Sequence, residues 1–267
     1  MKKTIQAIFI FTSALFTSCG NDEPNPDDTL DNTPKTPVIS YSVASTLPHD
    51  TANFLEGLEF YEGKLLESTG PEGKSKLLQY DPATGKVEKE VVLDAKYFGE
   101  GLTVFKDTLY QLTYQQSTVH VYAAKDFKKI KELPYTNGEG WGLTHDSTYL
   151  IGTNGGNSLH YYQPGTFKLV KSIAISENGV PAVNLNELEY INGFVYANQW
   201  QYNTILKIDP AKGEVVAKMD LTSIVQQEKA QNPRADVLNG IAYNPGTKKF
   251  YVTGKYWLKI YELRFDL

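Results

Sequence analysis

The sequence predicts an all-β fold, a five-bladed β-propeller, and three observations lead there. A short motif recurs five times, an apolar residue with glycine or a carboxylate beside it and then a Leu or Ile entering a strand. Its copies are Phe54-Leu55-Glu56-Gly57-Leu58, Phe98-Gly99-Glu100-Gly101-Leu102, Glu139-Gly140-Trp141-Gly142-Leu143, Leu185-Asn186-Glu187-Leu188 and Leu238-Asn239-Gly240-Ile241. The anchors Leu58, Leu102, Leu143, Leu188 and Ile241 lie 44, 41, 45 and 53 residues apart, the period of one four-stranded blade. Composition agrees: 18 Tyr, 12 Phe and 21 Gly in 267 residues suit pleated, half-buried surfaces joined by tight turns. Finally, every copy of the motif is followed by the same succession of strands and turns.

The chain begins outside that repeat. Lys2 and Lys3 precede an apolar run from Ile5 to Phe16 that ends in Thr17-Ser18-Cys19-Gly20. A basic start, a short apolar stretch and small residues describe a secretory signal over residues 1–18, too short for an ordinary membrane span. Cys19 is the single cysteine of the chain. Leu15-Phe16-Thr17-Ser18-Cys19 resembles a lipobox, so Cys19 is the expected lipidation site, and no disulfide can form within the chain. Residues 19–37 then hold five carboxylates, four prolines and one aliphatic residue, Leu30. Such a segment buries too little surface to offset the entropy of ordering and reads as an acidic tether. The expected location is the cell envelope, lipid-anchored, with Gly20 after Cys19 favouring an outer membrane.

The propeller is expected over residues 38–267. Second strands are read at Lys64–Thr69, Thr108–Thr113, Thr148–Thr153, Phe194–Asn198 and Lys249–Thr253, and third strands at Lys76–Tyr80 and Thr204–Ile208. Asp81-Pro82-Ala83-Thr84-Gly85, Pro164-Gly165 and Asp209-Pro210-Ala211-Lys212-Gly213 are turn signals leading to outer strands. The last blade runs out of chain after its third strand. The alternating segment Val38–Val43 is expected to supply the missing outer strand and close the ring. Leu221–Gln231, which stops before Pro233, is read as a short helix entering blade five.

A net charge of −5 argues against nucleic acid as a partner. The four histidines show no metal-ligand spacing, and no phosphate loop, dinucleotide fingerprint or nucleophile elbow occurs; neither metal nor cofactor is expected. His49, in Pro48-His49-Asp50, is the one histidine near an inner strand. Because the first strand of each blade lines the channel, the motif puts Glu56, Glu100, Trp141, Asn186 and Asn239 around one pocket. A carboxylate there, hemmed by Phe98 and Trp141, is desolvated and its pKa raised, which suits proton transfer. Glu100, between two glycines that leave room for a ligand, fits best. The residues alone leave Glu56 and Glu100 open between that role and simple hydrogen bonding to neighbouring blades.

The stretches Phe98-Gly-Glu-Gly-Leu-Thr103, Glu139-Gly-Trp-Gly-Leu-Thr144, Asn184-Leu-Asn-Glu-Leu-Glu189, Asp236-Val-Leu-Asn-Gly-Ile-Ala242 and Thr253-Gly-Lys-Tyr-Trp257 resemble the plant-type glutaminyl-peptide cyclotransferases, in order from about Pro48 to Glu262. The resemblance implies a five-bladed propeller that cyclises an N-terminal glutamine of a peptide or protein to pyroglutamate, releasing ammonia. It implies an essential carboxylate at Glu100, pocket aromatics at Phe54, Phe98, Trp141 and Trp200, an asparagine at Asn186 and a lysine at Lys255. Two positions depart from the plant pattern: Glu56 stands in place of Gln, and Tyr114 in place of Trp. A second carboxylate beside Glu100 raises one of the two pKa values. A monomer is expected. Two alternatives remain at this stage, a lactonase-like hydrolase with a cation held by Glu100, Asn186, Asn239 and Glu56, and a propeller that binds a glycan or peptide without catalysis.

Overall fold

A computed structural model describes residues 35–266. The signal and lipidation readings lie outside the described residues, as does the tether up to residue 34. The first strand, β1 (Ser42–Pro48), is followed by β2 (Phe54–Tyr61), β3 (Lys64–Gly70), β4 (Lys76–Tyr80) and β5 (Val87–Val92), which form blade one. Blade two is β6 (Gly99–Phe105), β7 (Thr108–Thr113), β8 (Thr118–Ala123) and β9 (Lys129–Pro134). Blade three is β10 (Leu143–His145), β11 (Leu150–Gly152), β12 (Ser158–Gln163) and β13 (Lys168–Ala174). A short hairpin, β14 (Ser176–Glu177) and β15 (Val180–Pro181), precedes β16 (Leu185–Ile191), β17 (Phe194–Gln199), β18 (Thr204–Asp209) and β19 (Glu214–Asp220), and all six share the sheet of blade four. After helix α1 (Thr222–Gln231), β20 (Leu238–Asn244), β21 (Lys249–Gly254) and β22 (Lys259–Arg264) make blade five, with β1 paired antiparallel to β22 as its fourth strand.

The inner strands β2, β6, β10, β16 and β20 touch in that circular order, β20 returning to β2. Each of the five gaps between neighbouring blades holds its own apolar cluster. Leu55 and Leu58 meet Ala242, Tyr251 and Ile260 between blades one and five. Leu66 and Leu77 meet Leu102 and Leu109 between blades one and two. The other three gaps are filled the same way. Period-2 alternation alone exposes one face of a strand; here blades stack face to face, so most residues of the inner three strands are buried. The hairpins between first and second strands need positive φ at both turn residues, and Glu62-Gly63, Lys106-Asp107 and Asn192-Gly193 supply it.

Three sequence readings change. The N-terminal strand is Ser42–Pro48 rather than Val38–Val43: Val38 instead bridges Lys218 of β19 in parallel, and Ile39 N–H donates to the Lys218 carbonyl at 2.8 Å. Thr148–Thr153 contracts to Leu150–Gly152 because Thr153 turns its N–H to the Gly142 carbonyl at 3.0 Å, at the mouth of the channel. The β14–β15 hairpin was not expected, although Asn178-Gly179 at its tip, both at positive φ, is the strongest short hairpin signal available. Helix α1 forms where read. Its Ile224 and Val225 enter the apolar cluster with Trp257 and Tyr261, and buried Glu228 accepts from Leu258 N–H (2.8 Å) and the Tyr261 hydroxyl (2.6 Å).

Below the pocket the channel is knit by side chains reaching from one blade to the backbone of another. Glu59 accepts from Val104 N–H (3.1 Å), Thr144 from Tyr190 N–H (3.1 Å), and Glu189 from Tyr243 N–H (2.9 Å). Glu187 spans three blades, taking Leu58 N–H at 3.2 Å and Ile241 N–H at 2.7 Å. Burial pushes Glu59 up to about 8 and raises Glu187 and Glu189 well above the carboxylate range, their mutual proximity adding to it.

Candidate active site

The motif position two residues before each anchor is where the inner strand leaves register. Shifts fall between Leu55 and Gly57, Gly99 and Leu102, Leu185 and Leu188, and Leu238 and Ile241. In blade three the strand begins only after Gly142. A bulge leaves its extra residue out of the ladder and re-aims the side chain. Glu56, Glu100 and Asn186 therefore turn into one cavity of about 280 Å³ at the channel mouth. Phe54, Phe98, Tyr114, Trp141, Trp200 and Lys255, all expected at the site, line the same cavity. Asp236 and Val237 line it as well and were not foreseen. Val237 occupies the motif slot held by Phe54 and Phe98 in blades one and two, so the repeat carried that signal; nothing comparable marked Asp236.

Asn239 is the exception among the five ring residues. It is fully buried behind the cavity and donates to the Leu55 carbonyl and to Glu56 Oε2, both at 3.2 Å. The other oxygen of Glu56 accepts from Lys255 Nζ at 2.7 Å, and that ammonium lies 4.2 Å from the centre of the Phe54 ring. Glu56 is thus a second carboxylate at the site and also the anchor of its lysine. Burial raises its pKa to about 7 against the pull of Lys255. Glu100 is 5% exposed, and burial first, then the charge of Glu56, hold its carboxyl well above the usual range. Glu56 has two donors, and among the described residues none reaches Glu100, so Glu100 is the first of the pair to keep a proton.

The glycines around Glu100 do a different task from the one expected. A Cβ on Gly99 would lie 2.7 Å from the Thr69 carbonyl oxygen, and one on Gly101 would lie 2.5 Å from Leu143 N and from the Trp141 carbonyl oxygen. They let neighbouring inner strands approach each other and leave no extra space for a ligand. Gly101 N–H donates to that Trp141 carbonyl at 2.8 Å. The aromatic wall is half-buried and built from edges. Trp141 and Trp200 meet at 5.6 Å and 80°, Phe54 and Phe98 at 6.1 Å and 86°, and Phe98 and Tyr114 at 5.6 Å. Trp141 is fixed further by its indole N–H, which donates to Glu139 Oε2 at 3.2 Å. Asn186 is buried, and its Oδ1 has no protein partner among the described residues.

His49 lies behind the site. Its Nδ1 faces the Trp257 carbonyl at 2.9 Å and its Nε2 faces Glu67 at 3.4 Å, while its N–H donates to the Leu258 carbonyl at 3.0 Å. It braces the segment that carries Lys255 and does not enter the cavity. Among the described residues, no cluster of three or more His, Cys, Asp or Glu has the arrangement of a metal site. Of the four residues the cation alternative requires, Glu56 already uses its two oxygens on Lys255 and Asn239.

Comparison with known proteins places this geometry. A family model described as glutamine cyclotransferase matches residues 12–265. A glutaminyl-peptide cyclotransferase of Arabidopsis thaliana is 37% identical over 230 residues, covering 85% of this chain and 72% of its own. The crystal structure of Myxococcus xanthus glutaminyl cyclase superposes with a TM-score of 0.80 at 35% identity, over 86% of this chain and 98% of that one.

Proposed function

This chain belongs to the glutamine cyclotransferase family, and we propose that its pocket folds an N-terminal glutamine back on itself and closes it to pyroglutamate. The activity is that of a glutaminyl-peptide cyclotransferase, an acyl transfer within one substrate that releases ammonia. The observation that carries the role of the site is Glu100: a buried carboxyl with a raised pKa, on a bulge aimed into an aromatic-walled cavity.

The reaction joins the substrate's α-amine to the carbon of its own side-chain carboxamide. As that C–N bond forms, Glu100 takes a proton from the attacking nitrogen. It then gives a proton to the carboxamide nitrogen, whose bond to carbon breaks and which leaves as ammonia. The enzyme supplies no nucleophile. Much of the rate comes from holding the two ends of one residue in contact. Trp141 and Trp200 pack on the aliphatic part of the glutamine and exclude water. Asn186, with an NH2 group to donate and an Oδ1 that has no partner among the described residues, matches a carboxamide. Lys255 has two ammonium protons left after binding Glu56 and supports the oxygen as negative charge develops there. Phe54 and Glu56 hold Lys255 at that place.

Removing the carboxylate while keeping its shape tests the role. Glu100→Gln is expected to lower ammonia release from a Gln-initiated peptide by about 10²–10⁴-fold with the fold intact by circular dichroism. A wild-type rate in that variant removes Glu100 from the mechanism. We also propose that Cys19 is lipid-modified and that residues 20–34 tether the enzyme to an envelope membrane; the tether read from the sequence ended at residue 37, but Thr36 is buried and accepts from Asn178, and the Pro37 carbonyl accepts from Lys218 N–H at 2.9 Å on the propeller. The support is the basic-apolar-small order of residues 1–19 and the acidic, proline-rich stretch after it. Mass spectrometry of the protein expressed with its first 18 residues, against a Cys19→Ala form, reads the modification directly.

A further inference from the structure

Beside the catalytic cavity lies a second one, of about 520 Å³, lined by Ala52, Pro71, Lys74, Arg234 and Tyr256. It shares a wall with the first. The Tyr256 ring stands 5.2 Å from that of Phe54. Pro71 follows Gly70, whose α-carbon the Phe98 ring covers so closely that a Cβ would lie 2.3 Å from it. Arg234 is two residues before Asp236, which lines the catalytic cavity. Tyr256 is itself unusual, a bulky residue at φ +61°. It is held there by its N–H to the Asn53 carbonyl (2.9 Å) and by Asn232 Nδ2 on its own carbonyl (2.7 Å). Backbone of this kind persists where the surroundings over-determine it, often at ligand clamps.

The charge of this groove runs against that of the protein. The chain carries −5, yet the two charged side chains lining the groove are cations, and both are exposed. Among the described residues no ion pair involves Lys74 or Arg234. Of the nearby carboxylates, Glu72 accepts from Gln116 Nε2 at 3.1 Å and Asp50 from Ala52 N–H at 2.9 Å, while Asp236, two residues after Arg234, faces the catalytic cavity and makes no ion pair with Arg234 among the described residues. The reaction adds a constraint. Only the first residue of the substrate enters the catalytic cavity, so the following residues must run out over its rim, and each extended residue covers about 3.3–3.6 Å. One ring beyond Phe54 is within reach of the next two or three.

Resting on the activity proposed above, we propose that this groove is a subsite for an acidic residue in the two or three positions after the glutamine. Lys74 and Arg234 receive its carboxylate and Tyr256 packs on the peptide between them. The enzyme therefore selects glutamine peptides with an early Asp or Glu over neutral or basic ones.

Ammonia release is measured for Gln-Ala-Asp-Ala, Gln-Ala-Ala-Ala and Gln-Ala-Lys-Ala amides. At low salt kcat/KM for the acidic peptide is expected to exceed that for the neutral one by about fivefold, the size of one or two solvent-exposed ion pairs. The difference should sit in KM and shrink at high ionic strength. In a Lys74→Ala/Arg234→Ala variant the acidic-to-neutral ratio falls to about one, and in Lys74→Glu/Arg234→Glu the basic peptide becomes the better substrate. Neutral-peptide turnover reports that each variant has folded. Equal turnover of the three peptides by the wild type, or a ratio unmoved in the variants, overturns the subsite. Failure to release ammonia from any of them overturns the reading of the catalytic cavity instead.

Discussion

Glu56 is the position at which this pocket departs from the plant pattern, and Glu56→Gln isolates what its charge does. Gln keeps the shape and one oxygen for Lys255 (2.7 Å in the native pair), so the lysine stays near its place while one negative charge leaves the cavity. Glu100 is raised by burial and then by that charge, so its pKa falls in the variant. The cavity holds about 280 Å³, and a sphere of that volume is about 8 Å across. Unit charges at that span, in an effective dielectric near 20, interact by about 2 kcal/mol, or about 1.5 pKa units. Freed of its partner's charge, Lys255 pulls the same way. The α-amine must be neutral to attack and titrates at roughly 7.7–8.0. Glu56, raised to about 7, carries its charge above that pH and there delays the loss of the Glu100 proton. In Glu56→Gln that delay is gone, so the rise of log kcat/KM above about pH 7 is expected to begin at lower pH than in the native enzyme. The assay is ammonia release under kcat/KM conditions from pH 5 to 9. A rise that begins at the same pH in both proteins, or at higher pH in the variant, refutes the coupling between the two carboxylates.

Two further outcomes follow from other parts of the molecule. A Cβ at Gly155 would lie 2.7 Å from the Trp141 ring, at a φ of +78°. Gly155→Ala is expected to push Trp141 from the wall and raise KM for short glutamine peptides several-fold, with thermal stability lowered by about 1 kcal/mol or more; unchanged KM would show that Trp141 does not bound the substrate. Buried Glu59, Glu187 and Glu189 have folded pKa values above their unfolded ones. The folded state then binds more protons than the unfolded chain, and stability falls as pH rises from the free carboxylate value of 4.5 to about 8, where Glu59 loses its proton. Glu189→Gln keeps an acceptor for Tyr243 N–H (2.9 Å) and should flatten that slope, raising Tm most at the alkaline end. A native protein whose Tm is level across this window contradicts it.

The five-fold motif was readable because each copy repeats one local task, and that repetition placed Glu56, Glu100, Trp141 and Asn186 around one cavity, whereas Tyr114, Trp200 and Lys255, which line it too, were named only by the family resemblance. What it could not convey was aim. Glu56, Glu100, Asn186 and Asn239 share a slot, but the last turns inward because Glu56 and the Leu55 carbonyl compete for its amide. The pairing of Lys255 with Glu56 joins residues 199 apart in the chain, and no periodicity reports such a contact. The strand at Ser42–Pro48 was misplaced by several residues because Val38–Val43 alternates equally well; the choice between them is made by Lys218, on another blade. Glycine was the most ambiguous letter. Gly99 and Gly101 look like an opening for a ligand and are in fact points of contact between strands.

The bonds under the pocket, from Glu59 to Val104, Thr144 to Tyr190, Glu189 to Tyr243 and Glu187 to both Leu58 and Ile241, all run around the axis rather than along the strands. They act as a hoop. With Thr103 and His145 joining blades two and three at 2.8 Å, a force that spreads one blade is carried by the whole circumference, so the diameter of the mouth is set by the number of blades and not by any one loop. A sixth blade could not be accommodated by adjusting side chains; it would set Glu100 and Asn186 on a wider circle, too far apart to close on a single five-atom ring.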